Sequence, residues 1–115
     1  MNLHEYIEKH TLAKFLTELT AKVEGLREKY PDAVYVRVNG VCSYTEGHIH
    51  TCGKDIPSGC ILGEGMKEMG IDVSNLGEQF HREMQDYFWK GFDNEIMYLA
   101  KIQTNQDKGI SWKSC

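Results

Sequence analysis

The sequence predicts an α+β fold: a small, mainly helical domain of four to five helices packed on a two-stranded antiparallel β-hairpin. Three observations predict it. From Leu12 to Tyr30, and again after Ile61, apolar residues recur at spacings of three and four, which puts one buried stripe on each helix. Val34 to Val38 alternates valines with Tyr35 and Arg37 and runs into Asn39-Gly40, the strongest short hairpin signal. The chain of 115 residues, 41% apolar and 26% charged, suits one globular core, so residues 1–115 read as a single domain.

Taken in order, Asn2 with Glu5 has capping-box spacing and predicts a helix starting near Leu3. Thr11 offers a second cap, so that helix is restarted or kinked there. The stripe Leu12, Phe15, Leu16, Leu19, Val23, Leu26 and Tyr30 predicts about five further turns, ended by Pro31. His4 and His10 are six apart rather than the four a helical metal pair needs, and read as surface histidines.

In a two-residue turn at Asn39-Gly40, Val36 would face Ser43 and Tyr35 would face Tyr44. Val34, Val36, Val38 and Val41 then form the face for the first helix to cover. Glu46 to Lys54 reads as loop. Pro57 and Ser58 open a helix whose stripe is Ile61, Leu62, Gly65, Met66 and Met69, closed by Gly70. Gly63 and Gly65 inside it point to close backbone packing, with the hairpin as the expected neighbour. Ser74 caps a helix carrying Leu76, Phe80, Met84, Tyr87 and Phe88 as far as Gly91. Asp93 caps a last one, Ile96 to Gln106, stopped at Gly109. Trp89, beside Phe88 and Phe92, reads as core, and Trp112 as a ring that folds back to pin the tail.

Seventeen acidic against thirteen basic residues give a net charge of −4, which argues against broad nucleic-acid binding. No run of eighteen apolar residues offers a membrane span, and the charged start MNLHEYIEKH is unlike a signal peptide. Both point to the cytoplasm, where cysteines are thiols or metal ligands rather than disulfides.

Cys42, His48, His50, Cys52 and Cys60 lie within nineteen residues, and thiolate and imidazole are the usual donors to structural zinc. His-x-His-x-Cys on an extended segment would present alternate residues on one side, with Cys42 or Cys60 completing a zinc site. No Cys-x2-Cys pair accompanies them, and unliganded thiols in a solvated loop is the competing reading. Tyr35, Arg37 and Tyr44 form a candidate binding patch, since Tyr and Arg are enriched in hot spots; the helix after Ser58 covering them is the alternative. Cys60 at a helix start also has the setting of an activated thiol, with His48 or His50 as base. Neither an orienting group nor an oxyanion device can be assigned beside it, so no catalytic residue is named and a non-enzyme is expected.

The segments VCSYTEG, PSGCILGEGMKEMGIDVSNL and AKIQTNQDKGISW, in this order, carry Cys42, Tyr44, Glu46, Gly47, Pro57, Cys60, Ile61, Gly63, Met69, Gly70, Gln106, Asp107, Gly109 and Trp112. This pattern resembles a group of small bacteriophage and actinobacterial proteins of unknown function. Relative to it, the chain inserts HIHTCGKDI and has one more residue between Pro57 and Cys60. The resemblance implies phage or mobile-element origin and brings no known chemistry. Small accessory phage proteins commonly bind and block a host component, so a phage-encoded binding or inhibitor protein in the host cytoplasm is expected. Such a protein would sequester a host defence or housekeeping protein, or a small nucleotide signal. A zinc-stabilised regulatory module is the alternative.

Overall fold

The computed structural model describes residues 1–37, 43–76 and 79–114. The fold is α+β, with a three-stranded antiparallel sheet rather than the two-stranded hairpin the sequence predicts.

α1 (Leu3–His10) starts as expected. Asn2 Oδ1 accepts the Glu5 N–H at 2.9 Å, and the Glu5 carboxylate accepts the Asn2 N–H at 3.3 Å. α2 (Leu12–Lys29) restarts after one residue, Thr11, which closes α1 and caps α2 through its hydroxyl. Tyr6 of α1 donates to the Glu18 carboxylate of α2 at 2.6 Å, and that bond to an anion, with burial, pushes its phenol up to about 12. The stripe from Leu12 to Leu26 is buried.

Thr11 serves both helices from a costly backbone conformation, φ +80°, ψ +153°. That region is essentially glycine's own and costs a β-branched residue about 1–3 kcal/mol. Thr11→Gly removes the strain, forfeits a few tenths of a kcal/mol of capping, and loosens the unfolded chain. A net gain of roughly 1 kcal/mol is expected in urea denaturation. A loss would mean that the hydroxyl cap outweighs the strain.

β1 is Val34–Val36, and Ser43 and Tyr44, expected opposite it, lie in no strand. The partner of β1 is β2 (His48–Thr51), with Val34 opposite His50, Tyr35 opposite Ile49 and Val36 opposite His48. β2 in turn pairs with β3 (Lys54–Pro57), His50 facing Asp55 and Ile49 facing Ile56. The expected Asn39-Gly40 turn lies outside the described residues. Glu46 to Lys54 is therefore not one loop, and the segment HIHTCGKDI makes most of two strands. Its turn is Cys52-Gly53, both at positive φ, the requirement of a type I′ hairpin.

The faces are inverted as well. Tyr35, Ile49 and Ile56 form the inner row, while Val36 stands 40% exposed. Tyrosine wins the inside position because its hydroxyl finds partners there. It donates toward Glu46 O (2.8 Å) and Ser43 O (3.2 Å) and accepts the Ser43 N–H (3.1 Å), gathering residues 43–46 around itself.

α3 (Ile61–Glu68) begins later than Pro57-Ser58. Pro57 completes β3, the Ser58 N–H is committed to Gly47 O, and Cys60 is the cap. A Cβ on Gly65 would touch Leu19 Cδ1 at 3.0 Å, which marks where α3 crosses α2. On the other side, Gly59 and Gly63 lie against the Tyr44 backbone, so the expected close approach is real.

No helix starts at Ser74, because its hydroxyl and its N–H both donate to Asp72 Oδ1. The single helix predicted there is instead α4 (Phe80–Glu83) followed by a 3-10 segment, Gln85–Lys90, ending at Gly91 with φ +89°. α5 (Asp93–Asp107) follows; Phe92, not Asp93, is its cap residue.

α5 ties the domain together through two buried glutamines. Gln106 Oε1 accepts the Ile61 N–H at 3.2 Å, and Gln103 Oε1 accepts the Phe80 N–H at 2.8 Å. Beyond α5, Trp112 folds back as expected: it is buried, its N–H reaches Ala33 O, and Arg27 donates to its carbonyl at 2.9 Å. No helix among the described residues is long and apolar enough to cross a membrane.

Candidate functional site

Of the five residues expected to hold zinc, the four that are described do not come together as one set. Cys42 lies outside the described residues. Cys60 is wholly buried, and its sulfur accepts the Gly63 N–H at 3.4 Å and the Gln103 amide at 3.7 Å. A thiol used as a helix cap inside the core is not presented to a shared ion, nor to a substrate, so the activated-nucleophile reading of Cys60 has no geometry behind it. Cys52 sits exposed in the β2–β3 turn at φ +52°, beside the Thr51 hydroxyl.

His48 and His50 do stay together. Ile49 and Thr51 turn inward, so the two imidazoles project from the outer face of β2. A carboxylate that sequence reading passed over, Asp55 of β3, joins them. Its Oδ1 is 2.8 Å from His50 Nδ1 and 3.8 Å from His48 Nε2. The hydrogen bond from His50, helped by both imidazoles, holds its carboxyl below the ordinary carboxylate range. Among the described residues, no group of three or more His, Cys, Asp or Glu side chains could hold a metal ion.

Of the candidate binding patch, Tyr35 and Tyr44 are inside and only Arg37 is exposed. The burial of Tyr44 against Gly59 and Gly63 follows the covered alternative.

A different surface presents aromatics, and it lies on the segment expected to be core. Trp89 is 78% exposed. Three of its neighbours in sequence each wall a groove that Trp89 itself does not line. Tyr87 lines one of about 520 Å³ with His4, Glu8, Thr11 and Lys90. Phe88 lines one of about 550 Å³ with His81, Arg82 and Gln85. Phe92 lines one of about 320 Å³ with Leu16, Thr17 and Thr20.

The first groove is fixed by a contact across the fold. His4 Nδ1 and the Tyr87 hydroxyl are hydrogen-bonded at 2.7 Å, with the rings stacked. Burial, with Asp86 and Glu8 nearby, raises the Tyr87 phenol, which keeps it protonated as the donor. Lys90 lies over the Trp89 ring at 5.0 Å, a cation–π contact that holds the indole outward. Sequence reading missed this surface because it grouped Trp89 with its neighbours Phe88 and Phe92 as core, although the stripe Phe80, Met84, Tyr87 and Phe88 leaves position 89 off its face.

No protein-family model, curated protein or solved structure matches the chain.

Proposed function

We propose that the chain is a non-enzymatic binding protein, phage-encoded as its resemblance implies, that sequesters a host protein through the aromatic surface centred on Trp89. The observation that supports this is the exposure of Trp89 on a stretch whose other rings, Tyr87, Phe88 and Phe92, each wall a groove. Leaving that much indole in water forgoes roughly 4 kcal/mol of burial, in a fold that hides its other tryptophan completely. Trp and Arg are the residues most enriched in binding hot spots, and Arg82 lines the groove walled by Phe88, the residue before Trp89. A protein partner suits this surface better than a nucleotide, because the rings are spread over three separate grooves and converge on no single pocket.

The test is co-purification from bacterial lysate, followed by reconstitution with the identified, purified partner. Trp89→Ala is expected to weaken that complex at least about thirtyfold while leaving the melting temperature unchanged. If no stoichiometric partner is retained, or if the reconstituted complex is indifferent to Trp89→Ala, the reading fails.

A further inference from the structure

We propose that the groove between α1 and the 3-10 segment Gln85–Lys90 binds a small zwitterion of the amino-acid class, with Glu8 taking its ammonium and Lys90 its carboxylate. This does not rest on Trp89 as the docking point for a protein partner.

The two walls come from helical periodicity. His4 and Glu8 are four apart on α1, and Tyr87 and Lys90 are three apart on a segment that turns about every three residues, so each pair shares a face. All four side chains line one groove of about 520 Å³. The hydrogen bond between His4 and Tyr87 joins the walls, and Glu8 and Lys90 each stand one turn further along their own wall. The volume falls in the range of small-molecule sites, about 300–1,000 Å³.

The charges select the ligand. The Glu8 carboxylate and the Lys90 ammonium make no ion pair with each other or with another described residue. Opposite charges that share a groove and stay apart leave room between them for a molecule carrying both. An anion alone would gain Lys90 but meet Glu8, and a cation alone would gain Glu8 but meet Lys90. A zwitterion satisfies both. Asp86, the other carboxylate near the Tyr87 phenol, does not line the groove, so it leaves this balance unchanged.

The remaining lining sets the body of the ligand. Ile7 and Leu12, both buried, give the groove an aliphatic floor. With Tyr87 donating to His4 Nδ1, the imidazole proton stands on Nε2, a neutral donor for a ligand oxygen. Thr11, the residue in the costly backbone conformation, lines the same groove, and such strain collects at ligand sites.

The experiment is a titration of the full chain with L-leucine and with the dipeptide leucyl-leucine, followed by the imidazole resonances. At least one of the two probes is expected to bind saturably at one equivalent and to move the His4 signals but not those of His48 or His50. Glu8→Gln and Lys90→Gln, both at exposed positions, are each expected to weaken that binding at least about fivefold with unchanged circular dichroism. Leucinamide, which lacks the carboxylate, and 4-methylpentanoate, which lacks the ammonium, should each bind at least about fivefold more weakly than L-leucine or, where only the dipeptide binds, than the dipeptide. No saturable binding of either probe, binding that leaves His4 unmoved, indifference to either variant, or equal binding of a single-charge analogue would each overturn the proposal.

Discussion

Gly63→Ala is expected to destabilise the fold by about 3 kcal/mol or more, although alanine is the better helix former by about 1 kcal/mol. The reason is where the new methyl group would stand. It would fall 2.2 Å from the Tyr44 carbonyl oxygen and 2.7 Å from its Cα, both backbone atoms. That backbone cannot retreat cheaply, because the Cys60 N–H binds Ser43 O at 2.8 Å and the Ser58 N–H binds Gly47 O at 3.1 Å. Gly25, exposed in the middle of α2 with nothing within 4 Å of its Cβ position, makes the control. Gly25→Ala is expected to gain up to about 1 kcal/mol. Denaturant midpoints of the two variants should move in opposite directions; movement in the same direction would mean that α3 does not press on residue 44.

Trp112→Ala is expected to cost about 3–5 kcal/mol, the range for deleting a fully buried large aromatic. The ring is wholly enclosed and meets Tyr30 edge-on. Its main chain is held independently of the ring by Ala33 O and Arg27. Trp112→Phe should therefore recover part of the loss. Thermal unfolding of the two variants checks the order. Equal losses would mean that the ring itself contributes little, and that the perturbation lies in the backbone of residues 111–114.

The helices were legible wherever a stripe and a cap agreed. Asn2 with Glu5 marked the start of α1, Thr11 marked the restart, and the Leu12–Leu26 stripe is the buried face of α2. The sheet was less legible, for a definite reason. His48 and His50 looked like ligands, which hid that the residues between and after them, Ile49 and Thr51, form the buried half of an alternating strand. Its turn also uses cysteine where asparagine or glycine is the usual signal for positive φ.

Asp55 was missed because pairing across a turn is invisible until the turn is recognised. Where α4 begins depends on Gln103, twenty-three residues further along, and no local pattern encodes that. Trp89 was misassigned by its company, because standing between Phe88 and Phe92 it was read with them as core.

The two glutamines of α5 also bear on the order in which the chain assembles. α3 and α4 precede α5 in sequence, yet the first amide of each is held by an α5 side chain. Their starting positions are settled only when a helix synthesised later docks against them. Until then the Ile61 and Phe80 amides have no such acceptor, and the ends of both helices should fray. Hydrogen exchange at these two amides would therefore report the docking of α5 rather than the intrinsic stability of either helix. α3 and α4 thus take their starting points from the helix that follows them.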